Sequence, residues 1–203
     1  GMHVHLSLFR GDDNAFYDPT DSVGLSSTAR SFIAGLLTHA GEVTAVTNQL
    51  VNSYKRLVAG FEAPVHISWA RNNRSALVRV PIPKKGKEDQ GTRLEYRALD
   101  PSCNPYLAFS VLLAAGMAGI EKGYELPDET TVNLFENFEQ RRPEDGSMLP
   151  SNLSEALDRM EGSELVHNTL GEHIFEWFLR NKRAEWGAYR THVSSFELQR
   201  YLG

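Results

Sequence analysis

Thr92-Arg93-Leu94-Glu95-Tyr96-Arg97 alternates polar and apolar side chains with the two-residue period of a strand. A few residues later, Asn104-Pro105 opens an apolar run from Tyr106 to Ile120 that Glu121-Lys122-Gly123 closes. Asn as a cap, Pro in the first turn and Gly past the end are the punctuation of a helix. A strand feeding a helix at the centre of the chain sets the reading on either side. Upstream, His3, His5 and Ser7 alternate with Val4, Leu6 and Leu8, which predicts a second strand with one polar face. The Asp/Asn-rich stretch Gly11 to Pro19 predicts a loop. Ser26-Ser27-Thr28 predicts the cap of a helix to about Thr38, and Gly41 is expected to separate it from a second short helix. Val65 to Trp69 and Ser75 to Val80 are β-prone, Pro81 and Pro83 end the second run, and a charged loop occupies Lys84 to Gly91.

Downstream the pattern is helical. A flexible segment is expected at Arg141 to Gly146, then a helix capped near Ser151 or Asn152, one over about Glu172 to Tyr189, and a last one opened by the capping box Ser194-Ser195-Phe196-Glu197. Strands in the first half and helices after them predict an α+β fold, with antiparallel strands backed by helices and a helical C-terminal region.

With 203 residues, 41% of them hydrophobic, the chain can bury a core as one domain or a large piece of one. A net charge of −5 argues against general nucleic-acid binding, which needs a basic field. Cys103 is the single cysteine, so no intrachain disulfide forms, and a cytoplasmic location is expected. The start of the chain has no signal-peptide pattern, and the Ala- and Gly-rich run from Tyr106 to Ile120 reads as a buried helix, not a membrane span.

Three groups of residues carry chemistry. His3 and His5, with Ser7, place two imidazoles and a hydroxyl on one strand face, within reach of a cation and of phosphates, although such pairs also occur as ordinary polar surface. Arg93, Glu95 and Arg97 share a face. On an edge strand the default reading is a solvated ion-pair row; the sharper reading is that Glu95 binds a metal while the flanking guanidiniums hold phosphate and carboxylate. Arg56, Arg71, Arg74 and Arg79 concentrate positive charge in an acidic chain, as a site that gathers anions requires.

Five ordered segments resemble successive signatures of the glutamine synthetase family. They are Gly1-Met2-His3-Val4-His5; Asn52 to Pro64; Asn73-Arg74-Ser75-Ala76; Arg93-Leu94-Glu95-Tyr96-Arg97; and Asp100-Pro101-Ser102-Cys103-Asn104-Pro105-Tyr106-Leu107-Ala108-Phe109. The resemblance implies that residues 1–203 are a C-terminal portion of the catalytic domain, with the β-grasp domain and the first part of the catalytic domain upstream. It further implies ATP as cosubstrate, Mg2+ or Mn2+ as metal, and glutamate and ammonia as substrates. His3 and Glu95 would be metal ligands; His5, Ser7, Arg79 and Arg93 would meet ATP; Arg56 and Arg97 would hold glutamate. Arg74 would meet the phosphoryl group in transfer, and Glu62, on a mobile flap, would accept the ammonium proton. A homo-oligomeric full-length enzyme is implied, and the isolated chain is expected neither to catalyse nor to bind metal tightly.

Two positions depart from the pattern. Gln90 stands where many bacterial members carry a basic residue. Phe135 lacks the hydroxyl of the Tyr that some members adenylylate. The helical tail from Leu170 to Trp186 resembles actinobacterial paralogues. A γ-glutamyl–amine or polyamine ligase, or a non-catalytic member of the family, are the competing readings.

Overall fold

The computed structural model describes residues 1–58, 63–134 and 147–202. Glu62, Phe135 and the Arg141–Gly146 stretch lie outside them. The central strand is β6, Leu94–Leu99. It is flanked by β1, Met2–Leu6, and by β5, Val78–Arg79, both antiparallel to it. The short β4, Trp69–Ala70, completes the order β1-β6-β5-β4. That last pairing is parallel, so the sheet is mixed where sequence predicts antiparallel strands throughout. The β-prone run before it also pairs elsewhere: Ile67 N–H donates to Ser147 O at 2.9 Å and Leu149 N–H to Val65 O at 2.8 Å. The expected loop after β1 contains a small hairpin, β2 (Phe9–Arg10) with β3 (Asp13–Asn14), turned by Gly11 at φ +62°. Asn14 then donates to Thr92 O at 2.8 Å and pins this excursion to the residue two before β6.

One sheet face is apolar. Val78, Tyr96 and Val4 form a cross-strand row, and Val78 and Tyr96 are fully buried. This face closes against helices. The first, α1 (Ser27–Thr38), is capped by Ser26, whose Oγ accepts from Ala29 N–H. His39 joins it to α2 (Ala40–Thr47). Gly41 lies inside α2 and does not separate the helices, because a Cβ there would stand 2.7 Å from an Arg159 nitrogen, so the position is kept small by packing and not by a break. The charged loop holds a single turn, α3 (Glu88–Gly91).

The long α4, Pro105–Lys122, has Asn104 as its cap and ends at Gly123 in the left-handed region, φ +64°. Its small residues serve contact with α1: a Cβ on Gly35 would come within 2.9 Å of Gly119 Cα, and one on Gly119 within 2.7 Å of Gly35 N. The two backbones therefore touch, which explains the Ala/Gly composition without a membrane. Among the described residues no helix is long and apolar enough to cross one. The remaining helices are α5 (Leu153–Glu161, capped by Asn152), α6 (Glu164–Leu170), α7 (Glu172–Thr191) and α8 (Ser195–Tyr201). The Ser194/Glu197 box forms as its spacing predicts, whereas α6 is an additional helix capped by Ser163. In α7, Phe175 is buried and Phe178 and Leu179 pack against the core, but Ile174 is exposed.

Candidate functional site

The polar face of the sheet is set by register. His5 pairs with Glu95 across β1/β6, and Arg79 pairs with Glu95 across β5/β6, so three chemistry-bearing residues form one row over three strands. The β1/β6 ladder is irregular between Met2 and Val4, where β6 contributes an extra residue, and His3 lies in this stretch. Its Nδ1 stands 2.8 Å from Glu95 Oε1.

Glu95 is 3% exposed and Arg97 7%. The solvated edge-strand row is therefore excluded: β6 is interior to the sheet, and its charges are held out of water. Such burial is costly unless opposite charges meet. They do. Arg79 Nε lies 2.6 Å from Glu95 Oε2 and Arg97 Nη1 3.7 Å from Oε1. Close approach is not the same as a satisfied bond, however. Arg79 Nε, Glu95 Oε2 and Arg97 Nε are all buried without an aligned hydrogen-bond partner. A face that keeps charges close while leaving their directional bonding unspent can receive a charged ligand.

Two shifts follow. Burial first, and then the Arg97 charge, hold the His3 imidazole below its usual pKa, against the opposing pull of Glu95. Neutral imidazole is the form that offers a lone pair. Arg97 is also lowered, by burial ahead of the neighbouring Arg79 and Arg74 charges, with Glu95 opposing; a guanidinium nonetheless stays protonated.

The other sequence candidates surround this row. His5 is exposed and accepts from Arg93 Nε at 3.3 Å, and Arg93 Nη1 donates to Gly91 O. Ser7 is exposed one residue past the end of β1. Arg74 is exposed beside a shallow recess of about 360 Å³ that it shares with Asn73, Thr131 and Asn133. Arg56 Nη2 donates to Ala98 O at 2.7 Å and Leu99 O at 2.9 Å. Glu62 lies outside the described residues. A larger cavity, about 540 Å³ between the Tyr17–Leu25 loop and Val80–Pro83, is lined by none of these residues.

Some supporting residues are not singled out by the sequence reading. Asn73 Oδ1 accepts from Ser75 N–H at 2.9 Å and its Nδ2 donates to Val132 O at 2.6 Å, which fixes the turn that presents Arg74. The Asn-x-Ser spacing is the signal of such a turn. Arg71, grouped with the anion-gathering arginines, is instead engaged by Glu129 through Nη2 at 2.8 Å.

His3 Nδ1 and Glu95 Oε1 are separated by about what two neighbouring ligands of one ion keep, roughly 3 Å for bonds of about 2.1 Å. The other Glu95 oxygen, Oε2, is buried 2.6 Å from Arg79 Nε without an aligned hydrogen bond. Among the described residues no group of three or more His, Cys, Asp or Glu is placed to hold an ion. The chain thus offers a fitting pair of donors and not a closed site.

Known proteins resemble this chain over nearly its whole length. Residues 1–201 match the family model described as glutamine synthetase, catalytic domain. The chain is 55% identical over 202 residues to the glutamine synthetase of Mycolicibacterium smegmatis, covering 99% of this chain and 45% of that protein. It is 51% identical over 203 residues to that of Thermotoga maritima, covering 100% and 45%. Among solved structures it is similar to apo GmaS without ligand, with a TM-score of 0.84 at 35% identity over 98% of this chain and 44% of that one. The chain spans about half the length of the curated relatives it matches. With the family's catalytic-domain model matched over nearly its whole length, and a mixed sheet backed by helices like that of its structural neighbour, the chain belongs to the glutamine synthetase family.

Proposed function

We propose that this chain is the C-terminal portion of the catalytic domain of an ATP-dependent ligase that joins the γ-carboxylate of glutamate to ammonia. The observation that carries the reading is the convergence of His3, Arg79 and Arg97 on the buried Glu95, with bonding capacity left open. Identity of about half to proteins named glutamine synthetase supports ammonia as the nucleophile ahead of a larger amine.

On this reading His3 and Glu95 hold a Mg2+ or Mn2+ ion, together with ligands from sequence present in the longer relatives. When bound, the ion neutralises charge on the nucleotide phosphates and on the group being transferred. The residues of this chain do the rest. Arg79 and Arg93 bind phosphate oxygens, and His5 and Ser7 line the nucleotide from β1. Arg56 and Arg97 hold the carboxylates of glutamate in place, so that the γ-carboxylate attacks the terminal phosphorus of ATP in line and ADP leaves. Arg74 stabilises the charge on the moving phosphoryl group. Ammonia then attacks the γ-glutamyl phosphate, phosphate departs, and Glu62 accepts the proton lost from ammonium. The full-length enzyme is a homo-oligomer on the same reading.

The test is phosphate release by the full-length enzyme with glutamate and ATP, comparing ammonium with methylamine and a diamine. Release that depends on ammonium, and that falls in the His3→Ala variant, is expected. Release that proceeds only with the amines would replace the nucleophile, and release indifferent to His3 would remove the assigned site.

A further inference from the structure

Residues 69–75 carry Arg74, and a second stretch, residues 127–134, runs beside them in the same direction. Trp69 Nε1 donates to Pro127 O at 2.7 Å, and Thr130 N–H donates to Trp69 O at 3.0 Å. Arg71 N–H and Nε donate to the two Glu129 oxygens, each at 2.8 Å. Asn73 Nδ2 donates to Val132 O at 2.6 Å, and Leu134 N–H donates to Ser75 Oγ at 3.0 Å. Of these contacts, only the one from Thr130 to Trp69 joins backbone to backbone. Past it the two stretches are fastened through side chains, so the fastening depends on which residues stand there.

Asn73 and Ser75 form one chain of bonds across the arginine between them. Asn73 Oδ1 accepts from Ser75 N–H at 2.9 Å and from Ser75 Oγ at 2.7 Å. The hydroxyl proton is thus committed to Asn73, which leaves the lone pairs of the Ser75 oxygen to accept Leu134 N–H. Ser75 is 2% exposed, so water cannot readily stand in for a lost partner. Arg74 is itself exposed, and its guanidinium goes where the turn points it. Thr131 and Asn133, which alternate with the fastened residues, line the recess beside Arg74. The bonds that shape the turn therefore also set the spacing between Arg74 and the facing wall.

We infer that Asn73 and Ser75 are positioning residues for phosphoryl transfer: they fasten the Arg74 turn to residues 127–134 and so hold its guanidinium where charge develops on the moving group. This rests on the reading of Arg74 as the residue that meets the phosphoryl group in transfer. A residue that acts only through Arg74 contributes to the transition state and not to ground-state binding, so its loss falls on kcat and spares KM.

Steady-state phosphate release by the full-length enzyme with ammonium tests it. Asn73→Ala lowers kcat roughly tenfold, with the KM for glutamate and for ATP within about twofold of wild type. Ser75→Ala, which removes the Leu134 link, gives a smaller fall of the same kind, so the outcome does not hang on the folding of one variant. In the Arg74→Ala background the further loss from Asn73→Ala shrinks to less than about twofold, because the group being positioned is gone. A merely structural role would lower kcat by the same factor in both backgrounds. If Arg74→Ala leaves kcat unchanged, the reading of Arg74 falls and takes the inference with it. If Arg74→Ala lowers kcat but Asn73→Ala and Ser75→Ala do not, or if their losses multiply with that of Arg74→Ala or appear in KM, the reading of Arg74 stands and the inference alone is overturned.

Discussion

Two His–carboxylate pairs of nearly equal length lie in different settings, one on the sheet and one among the helices. His3 and Glu95 meet at 2.8 Å on the polar face of the sheet, and His39 and Glu42 meet at 3.0 Å where α1 joins α2. The helical pair is closed. Ser163, the cap of α6, donates to Glu42, and Tyr124, just past the end of α4, contacts the other nitrogen of His39 at 3.4 Å. Each polar group there has a partner, and together they join four helices. The sheet pair is open, with two guanidiniums drawn to one carboxylate and buried bonding atoms unused. A histidine beside an acid is therefore not a functional sign in itself. What surrounds it decides whether it is a latch or a site.

The largest expected effect separates the pairs by activity. Glu95→Gln in the full-length enzyme is expected to lower ligation by about 10²-fold or more, since it removes a preorganised charge from the site, while Glu42→Gln stays within about twofold of wild type. Steady-state phosphate release reads both. Comparable losses from the two variants would erase the distinction. The reverse asymmetry is expected in stability. Glu42→Gln should cost about 1–2 kcal/mol in urea unfolding of the chain, because its hydrogen bonds are completed ones to an ionised group.

A smaller effect follows from pH. Burial, which raises the Glu42 pKa, is outweighed by the hydrogen bonds from His39 and Ser163, so its carboxyl lies below the ordinary 4.5 in the folded chain. A depressed folded value contributes stability that is present above about pH 4.5 and is lost as pH falls through the folded value. Acid unfolding followed by circular dichroism should show a flatter limb below pH 4.5 in Glu42→Gln. An unchanged limb would mean that the latch contributes nothing to acid stability.

How far each region could be read from sequence depends on how local its causes are. The caps Ser26, Asn104, Asn152 and Ser194 act within one helical turn, so α1, α4, α5 and α8 are legible with nearly their observed starts. Gly41 misleads because its reason is tertiary, the nearby Arg159 side chain. The short β4 and β5 are defined by hydrogen bonds to other segments, which a run of β-prone residues cannot delimit. The site is legible as residue types and spacing on β1 and β6. Its burial is not, because the covering strands come from distant sequence and an Arg–Glu alternation is equally suited to an edge.

The most direct test of the open-versus-closed contrast is paramagnetic broadening of the chain's backbone amide NMR signals by Mn2+, which detects weak and transient occupancy. At millimolar Mn2+, signals of His3, His5 and Glu95 are expected to broaden while those of His39 and Glu42 stay sharp. Broadening at the helical pair with the sheet pair untouched would contradict the assignment of the sheet face as the place where a divalent ion is received.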